Sequence, residues 1–251
     1  MKNMAPEKYS ETYLTEVIFQ VRFSPLLQLY TDKKDAAAKF QNIITKEFPE
    51  LQFEENKKFS IKMDSTGNPV ESKTNEEFLT WIFLNDLGKQ VALNGKELIL
   101  SYNGKLYASF EEFLKDVELI LTALKQYNLP QIKSIGLRYI NQIKLEDDKN
   151  WGKYINSNLH LDNEFNKNEL IQSINKTDLK IQDYDLTFQF GQFNPEFPNV
   201  SSKKDFILDY DCRLINNESF EKIIINLNKM HEIISNRFEQ DITEDLRKKM
   251  R

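Results

Sequence analysis

The chain has 251 residues, enough for one large domain or two small ones, and its 40% hydrophobic and 12% aromatic content supports a packed core and excludes disorder along its whole length. A formal net charge of −5 and a pI near 5.3 oppose bulk nucleic-acid binding, in which a basic face supplies most of the affinity. The single cysteine, Cys212, excludes an intrachain disulfide and a cysteine zinc cluster; residues 1–16 hold no apolar run like a secretion signal, and no stretch approaches the roughly 20 apolar residues that cross a bilayer, so a cytoplasmic location is expected.

Residues 17–23 alternate, with Val17, Phe19, Val21 and Phe23 on one face, which predicts a half-buried strand. An apolar stripe of Ala36, Phe40, Ile43, Ile44 and Phe48 predicts a helix over 32–48. Strands are expected at 53–63, 78–84 and 91–102, with a turn at Gly67-Asn68-Pro69 and a bulge or tight turn at Asn94-Gly95. Ser109 and Glu112 match a capping box, followed by Phe113, Val117, Ile120, Leu121 and Leu124 at helical spacing.

The same order then recurs. A strand is expected at 135–145, a shorter helix at 151–161, strands at 170–174, 179–183, 186–193 and 206–214, and a long helix after Ser219. Ile99-Leu100-Ser101-Tyr102 resembles Ile207-Leu208-Asp209-Tyr210, Ser109-Phe110-Glu111 matches Ser219-Phe220-Glu221, and the first strand of each half carries an arginine, Arg22 and Arg138. These marks predict an α+β chain with an internal duplication, residues 1–130 and 131–251, packed as one globular unit. Each half supplies a strand–helix–strands–helix unit, with antiparallel strands covered by long helices on one face. The saddle of the TATA-box-binding-protein fold is the nearest analogue and the helix-grip fold the competitor; neither analogy assigns a function.

Common catalytic signatures are missing. There is no P-loop, G-x-G-x-x-G or G-x-S-x-G, and His160 and His231 are the only histidines, so no cofactor and no metal site is expected. His231 lies beside Met230 and Ile234 in an apolar stripe and reads as a structural histidine; Cys212 reads as an inert strand thiol. Asp209 and Asp211 project from one face of a strand, an arrangement that suits Mg²⁺ or a shared proton and suits a solvated outer face equally well. Arg22 and Arg138, mid-strand opposite the main apolar set, would neighbour each other in a pseudo-symmetric sheet and clamp carboxylate or phosphate, or else pair with a carboxylate such as Asp209 or Asp211. The loop 190–199 holds two phenylalanines after Phe190, two prolines and Asn199; Phe197 either anchors a partner or pins the loop to the core.

Several of these marks taken together resemble a TIGR-type family of sporadically distributed bacterial proteins. They are Tyr13-Leu14-Thr15-Glu16-Val17 through Arg22-Phe23-Ser24-Pro25, Gly136-Leu137-Arg138-Tyr139-Ile140-Asn141, Pro195-Glu196-Phe197-Pro198-Asn199, Leu208-Asp209-Tyr210-Asp211, then His231, Phe238 and Ile242-Thr243-Glu244 to Met250. The resemblance implies no established catalytic activity and no assigned residue roles; its patchy distribution implies variable genomic islands, where phage-defence and toxin–antitoxin modules gather. The expectation is a non-catalytic binding protein with a protein partner encoded nearby. The alternatives are nucleic-acid binding through an open sheet face and a metal-dependent hydrolase or nuclease built on Asp209 and Asp211.

Overall fold

The structure, a computed structural model, describes residues 9–31, 33–63, 69–127, 131–144, 151–159, 170–199, 205–215 and 219–251, with the backbone alone at 31, 33, 56–63 and 69–78. Strand β1 (Leu14–Phe23) buries Val17, Phe19, Val21 and Phe23 and turns Ile18, Gln20 and Arg22 to the other side, as the alternation predicts. The expected helix at 32–48 comprises α2 (Lys33–Ile44), preceded by the single turn α1 (Gln28–Thr31). It stops short of Phe48, which is nevertheless fully buried and donates its N–H to the Ile44 carbonyl.

Strands β2 (Glu50–Met63) and β3 (Pro69–Leu84) form a long antiparallel ribbon; the expected turn at 67–69 lies mostly outside the described residues. The single strand expected over 91–102 is folded back on itself as β4 (Gln90–Leu93) and β5 (Glu97–Asn103). Asn94 makes the turn, its Oδ1 accepting from the N–H groups of Lys96 at 2.9 Å and Glu97 at 3.1 Å. Gly95 is required there, because a Cβ would fall 2.1 Å from a ring carbon of Tyr30.

Helix α3 (Phe110–Leu124) starts at Ser109, whose Oγ accepts from the Glu112 N–H at 3.2 Å. The other half of the expected capping box is replaced, since Glu112 Oε1 takes the Lys115 ammonium at 2.6 Å. Strand β6 (Ile132–Ile143) follows. Of the short helix expected at 151–161, the described residues 151–159 form no α-helix. Residues 151–159 make two 3-10 turns whose polar groups bond the C-terminal segment instead: Asn156 N–H reaches the Asp241 carbonyl at 2.8 Å, and the Thr243 N–H reaches Tyr154 at 2.9 Å. The two strands expected at 170–174 and 179–183 are one strand, β7 (Ser173–Ile181), polar because it forms a sheet edge. A turn with Gln182 at φ 55° leads into β8 (Tyr184–Phe193), then β9 (Asp205–Ile215), α4 (Ile223–Asp241) and α5 (Glu244–Met250).

The nine strands of the described residues join one antiparallel sheet in the order β2-β3-β4-β5-β1-β6-β9-β8-β7. The class is α+β, with the helices and the continuous core on the face that carries Phe19, Leu100, Leu137 and Tyr210. β1 and β6 are neighbours at the centre, and each is flanked by the strand that leads into a long helix, β5 before α3 and β9 before α4. The sequence marks do not share one frame, however. Tyr102 lies opposite Val17, five positions before Arg22, whereas Tyr210 lies opposite Tyr139, the residue just after Arg138. The arginine pair and the tyrosine pair therefore cannot both be equivalent positions.

Candidate functional site

The sheet face away from the helices carries the side chains that alternate with the core. Register places Ser101, Ile18, Arg138, Asp211 and Thr187 in one row, and Glu16, Ile140, Asp209 and Gln189 in the next. Arg138 donates from Nε to Asp209 Oδ1 at 2.8 Å and from Nη2 to Oδ2 at 2.6 Å, a bidentate bond running diagonally from β6 to β9. Gln189 Nε2 adds a bond to the same Oδ2 at 3.2 Å. Asp211 is taken by both donors of Arg213, with Nε at 3.0 Å. Arg22 reaches across to Glu97 at 3.1 Å, and Gln20 donates to the same carboxylate oxygen at 2.8 Å.

Two expectations are corrected by this geometry. Asp209 and Asp211 do share a face, but not a solvated one: they are 4% and 9% exposed, covered by the guanidinium groups that bind them. Arg22 and Arg138 are not neighbours, since Arg22 lies opposite Ser134 and Arg138 opposite Ile18. Four positions at a rise of roughly 3.3 Å per residue separate them by about 13 Å. Each is instead bound by its own carboxylate, and hydrogen bonding to Asp209 raises the Arg138 pKa further. Arg22, held through Nε alone, keeps its side chain 57% exposed, whereas the bidentate pairing with Asp209 leaves Arg138 no open phosphate clamp. Pairing also occupies the aspartates, and among the described residues no group of three or more His, Cys, Asp or Glu side chains stands ready for a metal ion.

The loop around Phe197 is held by Asn194, not by its aromatics. Asn194 is 1% exposed, its Nδ2 donates to the Asn199 carbonyl at 2.7 Å, and its Oδ1 accepts from the Glu196 N–H at 2.9 Å. Phe197, at 61% exposed, points away from the core. Among the described residues no hydrogen bond or ion pair joins this loop to Arg138 or Asp209, so Phe197 and Asn199 form a separate surface feature.

The helix-covered face holds polar constellations that sequence reasoning missed. Tyr102 on β5 donates to Asp116 on α3, and Lys89 pairs with the same oxygen at 2.7 Å. Tyr210 on β9 donates to Asp241 Oδ2 at 2.9 Å, and Arg237 Nε reaches that oxygen at 2.9 Å, while Oδ1 has no partner. Burial raises the Asp241 pKa. One signal was present: Asp116 lies between Phe113 and Val117 inside the buried stripe of α3. His231 is structural, as its setting predicts. Its Nδ1 lies 2.8 Å from Tyr139 Oη, which lies 2.8 Å from Tyr107 Oη, and its ring stacks on Phe110 at 3.9 Å between centroids. Burial lowers its pKa to about 4. Cys212 is fully buried, and burial pushes its thiol up to about 12, which keeps it protonated and unreactive. His160 lies outside the described residues.

Among the described residues no helix is long and apolar enough to cross a membrane. No protein-family model matches the chain, and no curated protein matches it.

Proposed function

We propose that this chain is a non-catalytic binding protein that holds a protein partner against the uncovered face of its sheet. The observation that carries the reading is the state of the arginines on that face. Arg22, Arg138 and Arg213 are each bound by a carboxylate of the same face, Lys176 and Lys180 pair with Asp178 and Asp185, and Glu16 adds a further negative charge. The face is therefore ordered before any partner arrives, its charges mutually paired with Glu16 as the one carboxylate left over among those named. It has half-buried Ile18, Ile99 and Ile140 along its middle, where a basic partner with apolar contacts fits better than a polyphosphate does. Mutual pairing also lowers the entropy cost of docking, because the long side chains are already held.

The same reading takes the sheet as a saddle of two like halves, resembling the TATA-box-binding-protein fold. The central β1–β6 pair and the two helix-leading strands beside it support that view. Its partner is a neighbouring gene product of a multi-component bacterial system, such as phage defence or toxin neutralisation.

The test is affinity capture of the tagged chain expressed with its native gene neighbours, read by mass spectrometry and by absorbance at about 260 nm, with Ile18→Glu/Ile140→Glu as the comparison. A stoichiometric protein partner that this variant loses is the expected result. Co-purified nucleic acid that leaves as salt rises, or a partner retained by the variant, would sink the reading.

A further inference from the structure

A recess opens on the other side of the sheet from the arginine rows, between the turn joining β7 to β8, the end of β9 and the start of α4. Its volume, about 460 Å³, lies within the range of small-molecule pockets, roughly 300–1,000 Å³. Leu214 and Ile225 give it apolar walls, and Ile225 is 57% exposed despite its size. Lys222, at the end of the 3-10 turn before α4, and Lys229, two turns further on, both line it, and Lys229 enters no ion pair among the described residues.

The second observation is Asn226, which lines the recess between the lysines. It is 7% exposed, its Oδ1 accepts from Tyr184 Oη at 2.8 Å, and its Nδ2 has no hydrogen-bond partner. The tyrosine bond fixes the amide plane and leaves two N–H donors buried without an acceptor. Such a group costs about 1–3 kcal/mol when unsatisfied. A ligand that supplies the acceptor removes that cost.

We propose that this recess binds a small organic monoanion, a carboxylate on a compact apolar body. The carboxylate oxygens accept from Asn226 Nδ2 and Lys229 Nζ, and the apolar body lies against Leu214 and Ile225. Asp183, also in the lining, sets the charge: its carboxylate opposes a second negative charge in the ligand and so disfavours phosphate. This site is independent of the partner face.

The experiment is titration of the ¹⁵N-labelled full chain with hexanoate at constant ionic strength, following the Asn226 side-chain amide, assigned by its loss in Asn226→Leu. A saturable shift of that resonance, weakened about three- to fivefold in Lys229→Met, is expected. Inorganic phosphate under the same conditions should give no saturable shift. The proposal is overturned by a linear, non-saturating response to hexanoate, by unchanged affinity in Lys229→Met, or by phosphate matching hexanoate. Lys229 is exposed on α4, so its variant tests binding without disturbing the core.

Discussion

Two aspartates beneath the same sheet are held in different ways. In the first half Asp116 projects from mid-helix α3, keeps 9% exposure and meets Lys89, whose side chain is itself 22% exposed. In the second half Asp241 sits at the last turn of α4, is 0% exposed, and shares one oxygen between Tyr210 and Arg237 while its other oxygen has no partner. Both carboxylates take a tyrosine from the strand that precedes their helix. The difference is access to water. Asp116 stays close enough to solvent to lose its cation at modest cost; Asp241 depends on its protein partners, because an uncompensated buried charge is expensive.

The cations break this comparison most sharply. Arg237→Met strands the Asp241 carboxylate and should lower unfolding stability by about 3–5 kcal/mol. Arg237 also lies over the Phe188 ring, 5.0 Å from its centroid, and the methionine recovers part of that packing. Lys89→Met should cost only about 1 kcal/mol. Urea unfolding of the two variants decides the matter; equal losses would mean that burial of the aspartate is not what separates the halves. The tyrosines come next. Tyr210→Phe deletes a donor to a charged acceptor that water does not reach, worth about 1.5–3 kcal/mol, and Tyr102→Phe should cost less because water replaces the hydroxyl at Asp116.

pH sharpens the contrast within the second half. His231 titrates near 6.5 when unfolded and about 4 when folded, because burial opposes its charge. Between those values the unfolded chain binds more protons, so stability should fall as pH falls through that window, by at most about 1.4 kcal/mol per pH unit. Asp241 has the opposite sign. Its folded pKa is raised, so its contribution is present at low pH and is lost as pH rises through its folded value. His231→Phe should flatten the acid loss, and Asp241→Asn should steepen it. Thermal unfolding across pH 4–7 measures both, and parallel curves for all three proteins would contradict the assignment.

The covered face was largely legible in the sequence because burial leaves a periodic trace. Val17, Phe19, Val21 and Phe23 repeat every second residue, and Phe113, Val117, Ile120 and Leu124 repeat at helical spacing, and all of them are buried. What failed was local. Residues 151–159 have no such trace to follow, since beside their short local bonds the Asn156 N–H and the Lys153 and Tyr154 carbonyls bond a segment almost ninety positions away in the chain. The β4–β5 reversal was visible as Asn94-Gly95 but its strength lies in Tyr30, a contact no spacing reveals. The candidate site was half legible. Asp209 or Asp211 was the expected partner for Arg22 or Arg138, yet the register that sends the Arg138 bond diagonally to Asp209, turns Asp211 to Arg213 and leaves Arg22 to Glu97 is a property of the sheet. The Tyr210–Asp241 bond joins residues on different elements and has no sequence signature at all.

The smallest contrast tests the match of Ser109-Phe110-Glu111 with Ser219-Phe220-Glu221. Ser109 has the extended backbone of an N-cap and its hydroxyl accepts the Glu112 N–H at 3.2 Å, which satisfies a donor that helix α3 leaves open. Ser219 is also extended, but it precedes a 3-10 turn, Phe220–Lys222, and its side chain makes no capping bond; α4 proper starts only at Ile223. Identical residues thus enter the two long helices by different geometries. Ser109→Ala should cost about 1 kcal/mol, and Ser219→Ala should stay within about 0.5 kcal/mol, the level of an ordinary surface change. Equilibrium unfolding in urea resolves that gap. If Ser219→Ala costs as much as Ser109→Ala, the second serine caps its helix in solution, and the two halves are more alike in their helix starts than the structure has them.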